Sequence, residues 1–303
     1  GRGIVLKSTG SGTLTANLNS TQIHSGGAAL LTTDSGTAKQ LVLNIGTTGD
    51  MQFARSSSGF AVSVTGSGLN STIVQSLGAT TSNITVGGTA NGGGVLFNRV
   101  TFDGSGAALS GTQAGTGNWT IGTPGNRVQG DGLRFDGPSG NLQFNSLDIA
   151  NDNGTGLYVD TKTLGTSFSL ATTNPASVDT TNGSALFLDP LTVNMTFSGL
   201  SSTNSGTNGI WLDGVSGNLT VTGTTTSNNA GGHGILIENS DGTFNFNDIN
   251  VDTPGADGIH INNTPSATIN FNGTTTKLNR NTLQTEANFF SAFFRKRKKS
   301  SLP

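Results

Sequence analysis

The sequence predicts an all-β chain folded as a parallel β-solenoid, because a short motif repeats along it and its apolar residues alternate. The six clearest copies of the motif read GLRFD, GLYVD, ALFLD, GIWLD, GILIE and GIHIN. These copies begin at Gly132, Gly156, Ala185, Gly209, Gly234 and Gly258, at spacings of 24, 29, 24, 25 and 24 residues. A fixed period in this range is typical of stacked units that bury a face only against their neighbours.

A second alternating segment follows each motif after a turn. Its paired apolar residues are Leu142/Phe144, Phe168/Leu170, Met195/Phe197, Leu219/Val221, Phe244/Phe246 and Ile269/Phe271. Alternation with period two predicts strands that each bury one face. A weaker third strand is indicated at residues 147–149 and 249–251. Two to three short strands per repeat leave no segment for a crossover helix. We therefore predict a single-stranded right-handed parallel β-helix (β-solenoid) with roughly ten to eleven coils of about 25 residues.

The composition fits a narrow core better than a globular one. Only 32% of the residues are hydrophobic, and 46 of the 303 are glycine, values that in a globular chain would indicate disorder. The periodic spacing nevertheless supplies about four to six inward side chains per coil. Serine, threonine, asparagine and glycine suit the turns. The chain has no cysteine, which excludes disulfides and thiolate chemistry.

The charge of the repeating part is acidic. Residues 1–276 carry 8 Lys and Arg against 16 Asp and Glu, a net charge of −8, whereas residues 295–299 read RKRKK. An acidic body argues against nucleic acid as its partner. The chain begins with Gly1 and shows neither a signal peptide nor an apolar run that could span a bilayer. We expect a processed piece or fragment, associated with a membrane only through missing parts of its parent chain.

Three regions are expected along one continuous solenoid. Residues 132–272 form the regular coils, and residues 1–131 form irregular N-terminal coils with weaker motif copies at Ala29, Gly59 and Gly94. The pattern fades after Asn272, so residues 273–303 have three interpretations. They are an end cap, a non-native end, or a basic tail that binds a partner or a membrane surface. A cap would use Phe289, Phe290, Phe293 and Phe294.

One outer face is expected to carry two columns of side chains. Positions one and three after the opening glycine point inward, so positions two and four point outward. Position two, the aromatic column, comprises Arg134, Tyr158, Phe187, Trp211, Leu236 and His260. Position four, the acidic column, comprises Asp136, Asp160, Asp189, Asp213, Glu238 and Asn262. The candidate glycan-binding strip taken from both columns is Tyr158, Phe187, Trp211, His260, Asp160, Asp189, Asp213 and Glu238.

Each column has more than one interpretation. The aromatic rings either stack on sugar rings, or pack on each other or beneath the loop at residues 162–181. The carboxylates either bind turn amides, hold calcium, or include a catalytic pair. No cofactor is expected, and calcium is the one cation that the acidic column could hold. His233 and His260 stand at non-equivalent positions on adjacent coils, so no metal-binding pair is expected from them.

The openings NGTGLYVD, NGIWLDG and DGIHIN, at their regular spacing, resemble right-handed parallel β-helix proteins of the pectin-lyase-like class. Most closely they resemble large bacterial β-strand-repeat surface proteins and autotransporter or adhesin passengers. The resemblance implies an extracellular or cell-surface location, with further repeats of the same protein as neighbours. Enzymes of this class usually place their sites on an outer strand face walled by long loops.

The regular coils of this chain have short turns, which favours adhesion or a structural stalk over catalysis. We therefore expect a non-catalytic adhesin, passenger or stalk segment whose ligand is a polysaccharide or cell-surface glycan. The alternative is a polysaccharide lyase or glycoside hydrolase of the same β-helix class. A lyase would require a basic residue beside the acids, and Arg134 is the only strand-borne one in the regular coils.

Overall fold

The chain winds into a β-solenoid that consists of two parallel sheets. The structure is a computed structural model that describes residues 1–8, 12–34, 39–68, 70–87, 92–105, 113–274 and 276–279. Sheet A has ten strands: Ile4–Ser8, Leu30–Asp34, Phe60–Thr65, Gly93–Asn98, Leu133–Asp136, Leu157–Asp160, Leu186–Asp189, Ile210–Asp213, Ile235–Glu238 and Ile259–Asn262. Each of these strands pairs in parallel with the strand of the next coil.

Sheet B has eighteen strands and supplies the rest of each coil. They are Gly12–Leu18, Thr21–Ser25, Lys39–Ile45, Met51–Arg55, Thr72–Leu77, Asn83–Val86, Thr101–Phe102, Asn118–Ile121, Val128–Gln129, Ser139–Phe144, Ser146–Asp152, Phe168–Thr172, Ala176–Thr181, Leu191–Thr203, Val215–Asn228, Thr243–Asp252, Thr268–Phe271 and Thr276–Asn279. The 3-10 turn Lys162–Leu164 is the only helical element among the described residues. The prediction of an all-β solenoid is confirmed.

The register of sheet A in the regular coils is the one that the repeat alignment predicts. Leu133 pairs with Leu157, Leu157 with Leu186, and the series continues to Ile259. The inward positions are fully buried from Leu133 to Ile237, whereas Ile259 and Ile261 of the last coil are partly exposed. Period-two alternation therefore decides which face of each strand enters the core.

The N-terminal coils differ from the expected alignment. Val62, not Phe60, pairs with Val95, so Ala61 rather than Gly59 is equivalent to Gly94. The two-residue offset leaves the same side chains inward, because successive residues alternate between the two faces. These coils are also longer, with up to 38 residues between equivalent positions. The structure accordingly has about nine turns at a mean spacing of about 27 residues.

Polar residues complete the interior beneath the returning turn. Asn153 and Asn182 adopt positive φ angles of 61° and 58°, a conformation that asparagine tolerates better than most residues. Beneath them, Asn151, Thr180 and Ser202 are fully buried. Thr180 donates to the side chain of Asn151 at 2.8 Å, and Ser202 donates to a turn carbonyl at 2.8 Å. This polar side of the core explains how a chain so poor in apolar residues fills its coils.

Sheet B continues beyond the point where the sequence pattern fades. The strand Thr276–Asn279 pairs with the second half of Thr243–Asp252. The four phenylalanines and the basic run proposed for a cap or a tail lie outside the described residues, so that part stays a prediction. Within the described part of the chain, no helix is long and apolar enough to cross a membrane.

Candidate functional site

The outer face of sheet A carries both expected columns. Arg134 pairs with Tyr158, Tyr158 with Phe187, and Phe187 with Trp211, and the column continues through Leu236 to His260. The carboxylates of the acidic column follow the same register two residues further on. Directly paired residues lie one strand spacing apart, about 4.8 Å. Equivalent side chains from successive coils therefore form two adjacent rows along the solenoid.

The aromatic rings of this face pack against each other. Tyr158 and Phe187 are stacked with centroids 4.6 Å apart and planes 12° from parallel. Phe187 meets Trp211 almost perpendicularly, at 4.9 Å and 84°. Such pairs contribute about 0.5–1.5 kcal/mol beyond the area they bury. The expected mutual packing is therefore present, and it uses one face of Tyr158 and one of Phe187.

Trp211 is oriented by its polar edge as well as by Phe187. Its Nε1 donates a hydrogen bond to Oε1 of Glu238 at 2.9 Å, across to the next coil. The indole is partly exposed, whereas the next residue of the column, Leu236, is 7% exposed. The ring planes of Phe187 and Trp211 are nearly perpendicular, so Phe187 does not stack flat on the indole. At least one face of the indole is therefore not covered by Phe187.

Arg134 lies at the N-terminal end of the aromatic column, next to Tyr158. Its guanidinium carbon lies 4.1 Å above the ring centre of Tyr158, a cation–π contact. Nε donates to both oxygens of Asp136 at 3.0 and 2.9 Å, and Nη1 donates to Asp131 at 2.9 Å. Burial alone would lower the pKa of Arg134, but these hydrogen bonds raise it above its ordinary value. The guanidinium is thus held by three neighbours and charged at any physiological pH.

A lysine that the sequence analysis did not place lies beside the acidic column. Nζ of Lys162 is 3.2 Å from Oδ2 of Asp213 and 3.6 Å from Oδ2 of Asp189. The lysine side chain is 65% exposed, whereas those of Asp189 and Asp213 are 14% and 11% exposed. Lys162 belongs to the 3-10 turn that follows the strand Leu157–Asp160. Only basic residues on strands were considered beside the acids, so the sequence-based prediction missed this one. The longer 29-residue spacing of this coil was the only sequence signal of such a turn.

Two of the carboxylates also serve neighbouring turns. Asp160 accepts hydrogen bonds from the backbone nitrogen and the hydroxyl of Thr163, at 3.1 and 2.8 Å. Asp213 accepts one from the side-chain amide of Asn239 at 2.7 Å. These are the turn contacts that the first interpretation of the acidic column predicts.

The two histidines come together although their positions are not equivalent. His260 points outward from its strand, and its Nδ1 is 2.8 Å from Oδ2 of Asp257. His233 precedes the strand of the previous coil, yet its ring centre lies 4.5 Å from that of His260. Burial lowers the pKa of His233, and the charge of His260 lowers it further. No metal-binding pair was expected from these residues, and that prediction is not tested by the structure, but the turn before His260 brings the two rings together.

The pKa of Asp189 is raised by burial and then by the charge of Asp213, although Lys162 opposes the shift. A carboxyl whose pKa is higher in the folded chain lowers stability as the pH rises from its ordinary pKa through the raised value. We therefore expect Asp189→Asn to raise the melting temperature near neutral pH, with a gain of up to about 1 kcal/mol in the free energy of unfolding. The gain should vanish below about pH 4, where the carboxyl of the unfolded chain is also protonated.

Thermal melting of both proteins between acidic and neutral pH measures this effect. Asp160→Asn is the matched control, and it should instead destabilise the chain because the charged acceptor of two Thr163 bonds is lost. A loss of stability in Asp189→Asn that appears at neutral pH and fades as the pH falls below about 4 would show that the contact of the charged carboxylate with Lys162 outweighs its burial.

Comparisons with protein families, with curated proteins and with solved structures find no match to this chain.

Proposed function

We propose that the chain is a non-catalytic β-solenoid segment of a secreted or bacterial cell-surface protein, such as an adhesin, an autotransporter passenger or a stalk. Its proposed ligand is a polysaccharide or cell-surface glycan that lies along the outer face of sheet A. The observation that carries the proposal is the pair of adjacent columns, one aromatic and one acidic, repeated in register over successive coils. A polymer with repeating units can contact several such coils at once.

Trp211 is the central contact of the proposed strip. It keeps a face clear of Phe187, while Glu238 fixes the indole through Nε1. Tyr158 is stacked against Phe187 and also contacted by Arg134, and Phe187 also meets Trp211. Tyr158 and Phe187, both partly exposed, therefore contribute only the ring surface that remains uncovered. The carboxylates of Asp189 and Asp213 lie beside these rings and hold the exposed ammonium of Lys162, which can donate hydrogen bonds to sugar oxygens. His260 extends the column by two coils beyond Trp211.

We expect a glycan array to show binding of long chains in preference to monosaccharides. Trp211→Ala should weaken binding at least about tenfold, because it removes one aromatic anchor. The same change should cost about 1 kcal/mol of stability through the lost contact with Phe187, so binding is measured well below the melting temperature.

The second tryptophan provides the matched control. Trp119 is fully buried, and its Nε1 donates to the carbonyl of Leu77 at 2.7 Å. Trp119→Phe should destabilise the chain and leave glycan binding unchanged. If no polysaccharide binds, or if binding survives Trp211→Ala intact, the aromatic column serves packing alone and the glycan proposal fails.

A second candidate is a lyase or glycoside hydrolase of the pectin-lyase-like class. It is favoured by one observation, the contact of exposed Lys162 with both Asp189 and Asp213, since paired carboxylates and a basic group can exchange protons with a substrate. Under the first proposal, incubation with pectic, alginate and glucan chains releases no reducing or unsaturated ends. Release that disappears in Asp213→Asn would support the enzyme instead.

A further inference from the structure

A group of three metal-ligating side chains lies at the C-terminal end of the outer face of sheet A. It consists of His233, Asp257 and His260, whose ligand atoms all lie within 4.8 Å of one another. Oδ2 of Asp257 is 3.4 Å from Nδ1 of His233 and 2.8 Å from Nδ1 of His260. Residues from two successive coils thus direct three donor atoms toward one small volume.

The two distances from the carboxylate of Asp257 to the histidine nitrogens are close to those of a tetrahedral zinc site. Two ligand atoms that are each about 2.0–2.1 Å from zinc lie about 3.3 Å apart. The His233–Asp257 distance of 3.4 Å already meets this value, and the His260–Asp257 distance of 2.8 Å needs to open by about half an ångström. The His260 side chain is 40% exposed, which leaves it room to rotate.

The hydrogen bonds within the group leave a nitrogen lone pair of His233 directed at the carboxylate, where a cation could bind. The backbone N–H of Asp257 donates to Nδ1 of His233 at 3.2 Å, so this nitrogen carries a lone pair. Nδ1 of His233 lies 3.4 Å from Oδ2 of Asp257, and the carboxylate oxygen is also a hydrogen-bond acceptor. No proton of His233 therefore bridges the two atoms, and a positive ion between them would relieve their repulsion. His260 can join by moving its proton from Nδ1 to Nε2.

We propose that His233, Asp257 and His260 bind one divalent transition-metal ion, with zinc as the representative species. Two imidazoles and one carboxylate suit zinc and its neighbours, whereas calcium and magnesium prefer oxygen ligands alone. The three side chains are 22%, 28% and 40% exposed. The site is therefore open, and its fourth position faces solvent, where water or a donor atom of a ligand completes the tetrahedron.

The alternative is that the same contacts only fix the turn at residues 253–258. The bond between His260 and Asp257, and the bond from the Asp257 backbone to His233, tie two coils together without any ion. The two explanations differ in one respect: only the metal site gives the folded chain a measurable affinity for zinc.

Isothermal titration of the full chain with Zn²⁺, and metal analysis after gel filtration, test the proposal. We expect one zinc ion per chain, with little heat from Ca²⁺ or Mg²⁺. Asp257→Asn and His260→Gln should each lower the affinity at least about tenfold, since each removes one of three ligands. His24→Ala is the matched control, because it removes the remaining histidine of the chain and that residue lies on an N-terminal strand.

A readout on the unchanged chain keeps the result independent of the variants' folding. Added Co²⁺ should develop the intense visible absorption of a tetrahedral site, and Zn²⁺ should abolish it. Absence of zinc uptake by the parent chain would overturn the proposal. Equal uptake by the folded His260→Gln or Asp257→Asn variant would overturn it as well. Glycan binding does not enter any of these measurements, so the metal site stands or fails separately from the proposed function.

Discussion

Ile210→Asp is expected to unfold the central coils of the solenoid. Ile210 is fully buried in sheet A, where it pairs with Leu186 on one side and Ile235 on the other. The apolar side chains around it offer no partner for a carboxylate. An unpaired charge in such a core should cost more than about 4 kcal/mol. Phe246→Asp should act in the same way, because Phe246 is equally buried in sheet B.

Thermal melting and hydrogen exchange measure this loss. Asn194→Asp is the matched control, since it introduces the same carboxylate at an exposed, outward position of Leu191–Thr203 in the preceding coil. The control should change stability by less than about 0.5 kcal/mol. A melting curve for Ile210→Asp that matches the parent chain would contradict the assignment of inward and outward faces.

Gly183→Ala is expected to destabilise the returning turn of the same coils by about 3 kcal/mol or more. A Cβ at this position would lie 1.7 Å from the carbonyl oxygen of Gly154 in the coil before it. That oxygen cannot move away easily, because the buried side chain of Asn151 donates to it at 3.0 Å. Ser202 likewise holds the carbonyl of Gly183 itself. The clash therefore falls on backbone that two buried polar side chains fix.

Gly206→Ala provides the comparison for this variant. Gly206 occupies the corresponding turn of the next coil, but a Cβ there would meet no atom within 4 Å. We expect it to be neutral or slightly stabilising, because alanine lowers the conformational entropy of the unfolded chain. Equal melting temperatures for the two variants would show that the coils separate readily at this turn, contrary to the close stacking described above.

These variants separate two roles of small and polar residues in the solenoid. Glycines such as Gly183 allow the backbones of successive coils to approach, whereas Asn151 and Ser202 satisfy turn carbonyls from inside and Thr180 bonds to Asn151. The apolar residues fill the remaining interior. These three buried polar side chains find hydrogen-bond partners in the adjacent coil or turn, which lets a chain of low apolar content fill its core there. The equivalent of Ser202 in the next coil, Ser227, is nevertheless buried without such a partner.

The sequence by itself determined the fold class, the register of the regular part of sheet A and the composition of the two outer columns. Period-two alternation is a local property, and equal repeat lengths bring equivalent residues onto successive coils. The repeat alone therefore aligns Tyr158, Phe187 and Trp211 with one another and places Asp160 and Asp189 in the neighbouring column.

Only the tertiary structure decided which side chains meet where the repeat is broken. Lys162 reaches Asp189 and Asp213 from a turn, and His233 meets His260 although the two are not equivalent in the repeat. Turn conformations depend on φ angles and on contacts with the neighbouring coil, neither of which alternation encodes. Strand periodicity thus places the columns of the outer face, whereas three-dimensional turn geometry brings together the ion-pair and proposed metal-binding groups.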